Sequence, residues 1–139
     1  MATFRSLAKR MRKIEKDIPI KVNRLAQQTA NDILIVVTSA GVTKVDTSEA
    51  VSNWTIGVGS KDSGTRGPFV KGRAGSTAAA SRAQVRAVGR IKILQKKPNQ
   101  AIHISNSVEH LNEAFQGDVQ RVIAIGRQKL AERLERFRI

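Results

Sequence analysis

Residues 50–59, AVSNWTIGVG, decide what kind of fold this chain adopts. Successive side chains of an extended chain point to opposite faces. Ser52, Trp54, Ile56 and Val58 therefore share one side, and Val51, Asn53 and Thr55 the other. This alternation predicts a half-buried strand with Trp54 turned inward.

Upstream, VTKVDTSEA (residues 42–50) is polar and turn-like. Before it, Phe4, Leu7, Met11, Ile14 and Ile18 recur at steps of three and four, which predicts an amphipathic helix over about 3–17. Pro19 predicts a break or kink, because proline lacks an amide hydrogen and clashes with the preceding turn. Val22, Leu25, Thr29, Ile33, Val36 and Val37 then resume the period up to Ala40, with Gly41 as the stop. The β-branched run ILIVV competes as a strand, but the period begins well upstream and favours helix. Residues 1–40 form an N-terminal helical region on this reading.

Downstream, residues 59–75 carry five Gly and one Pro and show no period, which predicts a long extended loop. A helix follows over about 76–92, with Ser76 or Thr77 as N-cap. Its Arg82, Arg86 and Arg90 stand four residues apart as a basic stripe. Ala79, Ala83, Ala87, Val85 and Val88 supply its packing face. QKKPNQ (95–100) is a turn, and AIHISNS (101–107) alternates as a second strand with Ile102 and Ile104 inward and His103 outward. VEHLNEAFQ (108–116) predicts a short helix ended by Gly117. Val119, Val122, Ile123, Gly126, Leu130, Leu134 and Phe137 form the stripe of a closing helix. The order predicts one α+β domain over 1–139. A small, mainly antiparallel sheet is packed by a long N-terminal helix, a central helix and a C-terminal helix, with a long extended loop.

Aliphatic residues must build the core, since the 139 residues hold one Trp, four Phe and no Tyr. The absence of Cys excludes disulfides, thiol catalysis and cysteine-ligated zinc. No apolar run reaches the roughly 20 residues that span a bilayer, and the N-terminus lacks the apolar core of a secretory signal, so no membrane partner is expected. The net charge of +14 points instead to a polyanionic partner or acidic neighbours. Residues 1–24 carry eight bases against two acids, and residues 61–97 carry ten against Asp62 alone. From Glu109 onward the balance is six bases to five acids.

The loop is a near miss for a phosphate-binding P-loop. Gly67 and Gly72 have the required spacing, but Arg73 and Ala74 stand where Lys and Ser/Thr are needed. Both the phosphate-binding amine and the magnesium hydroxyl are thereby missing. His103 and His110 are seven residues apart and match no metal motif. No carboxylate pair and no Ser/His/Asp set is evident. The expectation is therefore no enzyme, no cofactor and no metal site. The predicted contact set is Lys61, Arg66, Lys71 and Arg73 on a mobile basic loop, with Arg82, Arg86 and Arg90 on the helix. Such bases bind phosphates by releasing counterions, without reading sequence.

VDTSEAVSNWTIGVG (45–59), followed by the Gly/Ala-rich GRAGSTAAAS (72–81) and then IHISNSVEHLNEAFQG (102–117), resembles the phage tail-completion or neck proteins, a family of tail-terminator-like head–tail connectors. Asp46-Thr47 matches its turn, Ser52-Asn53-Trp54 its first strand, Ile102, Ile104, Asn106 and Ser107 its second strand, and Leu111 and Gly117 the helix that follows. The chain departs from the pattern at Ser48, where the family has a turn Gly, and at His110, where it has Tyr. The resemblance covers about residues 40–139. It implies a virion protein made in the host cytoplasm and assembled as a homo-oligomeric ring at the head–tail interface. Such a ring joins portal or adaptor to tail proteins and lets genomic DNA pass with sequence-independent contact. The residues alone leave a second class open, a sequence-independent basic nucleic-acid-binding protein of nucleoid or ribosomal type.

Overall fold

A computed structural model of the chain describes residues 3–39, 48–108 and 119–136. Along the chain these form helix α1 (Phe4–Val37), a helical turn α2 (Glu49–Ser52), strand β1 (Trp54–Val58), helix α3 (Ala78–Leu94), strand β2 (Ile102–Asn106) and helix α4 (Val119–Glu135). The architecture is α+β, with one two-stranded antiparallel sheet and three long helices among the described residues. The stop expected at Gly41, most of the polar turn before β1 and nearly all of the helix expected over 108–116 lie outside the described residues.

Helix α1 begins with a reciprocal cap. The Ser6 amide donates to Thr3 Oγ1 at 3.2 Å, and the Thr3 amide donates to Ser6 Oγ at 2.9 Å. Two amides that a helix start would otherwise leave unpaired are thus satisfied. The break expected at Pro19 is absent, and α1 runs through it as one helix of 34 residues. Proline costs the Glu15 carbonyl its helical donor, but both residues are exposed and water can take that bond. The helix ends at Val37. Thr38 and Ser39 hydroxyls donate to the Leu34 and Val36 carbonyls at 2.7 and 2.6 Å.

The strand expected over 50–59 is shorter than the alternation suggested. Residues 49–52 coil into α2, entered through Ser48 in the left-handed region (φ +68°), and β1 starts at Trp54. The inward face is as expected: Trp54, Ile56 and Val58 stand opposite Asn106, Ile104 and Ile102. An isolated two-stranded sheet is marginal in water, so its stability comes from the helices laid on it. Ile56 joins Ala30, Leu34, Val37, Val85 and Ile93 in the buried core, with Trp54, Val58, Phe69, Ile102, Ile104 and Val122 packed around them.

Helices α1 and α3 run antiparallel and each completes the other's C-terminus. Arg86 of α3 donates from Nε to Thr38 Oγ1 (2.9 Å) and from Nη2 to the Ile35 carbonyl (3.1 Å). In return Gln27 of α1 donates to the Ile93 carbonyl at 3.1 Å, and Asn23 donates to the Lys96 carbonyl while accepting from Lys96 Nζ. Terminal carbonyls lack helical partners and carry partial negative charge, so donors and a cation suit them. Between the two caps, Gly89 lets the helices close up. A Cβ there would lie 2.4 Å from Leu34 Cδ2 and 3.2 Å from Ile56 Cγ1. Helix α4 is tied to α1 by Arg133, whose Nη2 and Nε donate to Asp32 Oδ2 at 2.7 and 3.0 Å.

Candidate functional site

The basic loop after β1 has no regular structure, but it is fastened to the scaffold along its length, contrary to the mobile arm its glycines suggested. Asn53 is completely buried. Its Oδ1 accepts the Arg66 amide at 2.7 Å, and its Nδ2 donates to the Arg66 carbonyl at 2.8 Å and the Glu49 carbonyl at 2.7 Å. Ser52 Oγ accepts the Phe69 amide at 3.0 Å. The Asp62 carbonyl accepts from Thr55 Oγ1 (3.1 Å) and Ser105 Oγ (2.9 Å), a hydroxyl pair on the outer face of the sheet. Further on, Thr77 Oγ1 donates to the Val70 carbonyl at 2.8 Å and Ser81 Oγ accepts the Val70 amide at 3.3 Å. Buried side chains of Ser52, Asn53 and Ser81, with the half-buried Thr55, Ser105 and Thr77, therefore substitute for the ladder partners that an irregular segment lacks.

Thr77 is the N-cap position of α3, as expected, but its hydroxyl serves the loop and contacts Ser48 Oγ at 2.8 Å, making no cap bond of its own. Phe69 anchors the middle of the loop in the core, and the Arg66 guanidinium lies 3.4 Å from the centre of its ring. Such stacking holds a planar cation over an aromatic face by about 0.5–1 kcal/mol at exposed sites.

An open cavity of about 200 Å³ lies between the loop, β1 and α3, lined by Trp54, Phe69 and Val85 with Arg66, Asp62 and Lys92. Its polar groups are engaged within the chain. Asp62 Oδ1 takes the Gly64 amide at 2.9 Å and Oδ2 faces Lys92 Nζ at 3.5 Å, while Ser52 and Thr55 hold the loop. Among the described residues no three His, Asp or Glu side chains converge as a metal site would require.

The seven bases singled out from the sequence divide into three groups. Lys61, Lys71 and Arg73 are exposed on the loop, and their side chains have no hydrogen-bond or ion-pair partner among the described residues. Arg66 is exposed but stacked on Phe69, with Nε donating to the Gly67 carbonyl at 3.1 Å. Of the helix stripe, Arg90 is exposed and Arg82 half-buried, whereas Arg86 is bound to the C-terminus of α1.

Loop and stripe make different contacts with the scaffold. The buried seam of α3 is Ser81, Val85, Gly89 and Ile93. The loop packs on one flank of it, through Ser81 and Lys92, and the stripe lies on the other, where Arg86 meets α1. Sequence reasoning missed the residues that position the loop, Ser52, Asn53 and Ser81. They are buried polar side chains with no period, and their only sequence signal is polarity on otherwise apolar faces.

No family model, curated protein or solved structure matches this chain. Among the described residues, no helix is long and apolar enough to cross a membrane.

Proposed function

We propose that the chain is a structural subunit of a tailed-phage virion. It assembles as a ring at the head–tail junction, with the basic loop turned toward the DNA that passes through. The observation that carries this reading is the loop itself. Lys61, Lys71 and Arg73 are exposed, with no side-chain partner among the described residues, on a segment held by buried and half-buried side chains of the scaffold. Cations displayed on a held loop attract phosphates by counterion release and read no bases. That suits passage of any DNA sequence.

Two positions of the neck-protein resemblance add support. Ser48, where that family has a turn glycine, adopts φ +68°, the left-handed region that favours glycine. Asn106, at the end of the matched second strand, donates from Nδ2 to the Ala50 carbonyl at 2.7 Å and accepts the Val108 amide at 3.2 Å. It thereby ties β2 to the turn that precedes β1. The ring partners on this reading are further copies of the chain and the portal, adaptor and tail proteins.

The unpaired loop bases equally favour a second reading, a sequence-independent nucleic-acid-binding protein without a ring. Electron microscopy of the purified chain, paired with duplex-DNA titrations at several salt concentrations, separates the two. Closed rings support the junction subunit. A monomer that coats duplex DNA with a steep salt dependence supports the alternative.

A further inference from the structure

The N-terminal half of α1 leaves a row of apolar side chains open to solvent. Phe4 is 92% exposed, Leu7 50%, Met11 61% and Ile14 39%. With the half-buried Ile18 they alternate steps of three and four, the two-in-seven spacing of a coiled-coil seam. Further along α1 the same face passes Thr29 and Asp32 to Ile33, and there this chain's own α4 covers it. Arg133 of α4 binds Asp32, and Gly126 sits close against Ile33. The seam is thus filled toward its C-terminal end and bare toward its N-terminal end. The charges beside the bare part are mixed. At 3.6 residues per turn, Arg10 and Asp17 border one side of the row, and Ala8 and Glu15 the other. Arg5, Lys9, Arg12, Lys13 and Lys16 lie on the far side of the helix, turned away from anything seated on the row.

We propose that the bare row is a contact between two copies of this chain, whose α1 helices lie antiparallel about a two-fold axis. Met11 of each copy packs on Ile14 of the other, Leu7 on Ile18, and Phe4 on the aliphatic stem of Lys21. In that register Arg10 of each copy stands beside Asp17 of the other, and Glu15 beside the uncharged Ala8. One self-complementary pattern supplies both halves of the contact, as a two-fold interface requires. Opposite charges at the margins of a seam set partner and orientation. A parallel pair would match Arg10 with Glu15, but both copies carry α4 on the shared face from Thr29 onward, which forces the helices apart. In the antiparallel pair the rest of each chain, which packs on α1 near Asn23 and beyond, lies at the opposite end from its counterpart. Anionic lipid fits less well, because the row is narrower than the apolar face of an interfacial helix and has two carboxylates at its margin. The inference requires no ring: a two-fold contact closes on itself, so ring neighbours would meet through another surface.

Sedimentation of the intact protein over a range of concentrations tests the contact. The wild type should double its sedimenting unit as concentration rises, from chain to dimer or from ring to paired rings. Met11→Glu should abolish the doubling, with the circular dichroism spectrum unchanged. Arg10→Glu and Asp17→Arg should each weaken it about tenfold, because each reverses two symmetric contacts. Both substitutions in one chain should restore it, since the pairs re-form with their signs exchanged. No doubling by the wild type, or a doubling that Met11→Glu leaves intact, would overturn the proposal. So would a double variant as weak as Arg10→Glu alone, the result of a parallel pair, whose Arg10–Glu15 contact the second substitution does not repair. Capture of a monomeric wild type by phosphatidylglycerol vesicles would give the row to lipid and overturn it as well. Dimers that never form rings would leave the inference standing and overturn the junction reading alone.

Discussion

Asn53 grips the backbone of Arg66 from both sides, its Oδ1 2.7 Å from the Arg66 amide nitrogen and its Nδ2 2.8 Å from the Arg66 carbonyl oxygen. A single buried amide thus joins the end of the α2 turn to a loop thirteen residues further on. The loop's display of cations depends on this grip more than on its own glycines.

Asn53→Ala should release the loop and destabilise the fold by about 3 kcal/mol, because it orphans several polar groups around a completely buried position. Urea unfolding measures the stability. Brief trypsin treatment measures the release, since Arg66, Lys71 and Arg73 offer cleavage sites that the held loop protects. An unchanged digestion pattern would contradict the grip.

Gly89→Ala places a methyl group 2.4 Å from Leu34 Cδ2 and 3.2 Å from Ile56 Cγ1. Alanine improves helix propensity by about 1 kcal/mol, but overpacking costs about 1–3 kcal/mol. The net expectation is a loss of up to about 2 kcal/mol. Leu34→Val removes the offending branch, so the double variant should lose less than the sum of the two singles. Simple additivity in chemical denaturation would show that α1 and α3 do not meet at this pair.

Arg86 and its stripe neighbours should behave differently. Arg86→Ala removes two donors from the end of α1 and should cost about 1.5 kcal/mol in thermal or urea unfolding. Arg90→Ser, at an exposed position without a partner among the described residues, should leave stability within about 0.5 kcal/mol of wild type. Equal losses would mean that mutual capping of α1 and α3 contributes nothing.

The charge reading has its own variant. Lys61→Ser, Lys71→Ser and Arg73→Ser combined should leave the unfolding midpoint unchanged and weaken duplex-DNA binding. The slope of log K against log salt should flatten by about 2–3, since each phosphate contact contributes about 0.9. Arg82→Ser with Arg90→Ser, on the other flank of α3, should flatten it less. A slope that responds only to the helix pair would move the polyanion surface from the loop to the stripe.

Where a residue type repeats with a period, its place was legible from the chain. Trp54, Ile56 and Val58 on one strand face and Ile102 and Ile104 on the other strand stand as their spacing predicts. The helices are less direct: Phe4, Leu7, Met11 and Ile14 are exposed while Ala30, Leu34 and Val37 carry the core face of α1, and Ala79, Ala83, Ala87 and Val88, expected to pack, are exposed on α3. What was not legible depends on single contacts between distant residues. Pro19 breaks nothing because the carbonyl it orphans faces water. Asn53 alternates as a strand residue would, yet it closes a helical turn and clasps a loop. Arg86 is indistinguishable from Arg82 and Arg90 in sequence, and only the approach of α1 turns it from a candidate contact into a helix cap. The loop read as mobile because glycine content speaks of conformational freedom and is silent about the buried Ser52, Asn53 and Ser81 that remove it.

Imaging the purified chain by electron microscopy, alone and with duplex DNA, tests the junction-ring reading most directly. The account requires closed rings with a lumen wide enough for a duplex, formed without DNA. A population of monomers that forms no ring and instead coats DNA in proportion to its length would contradict it.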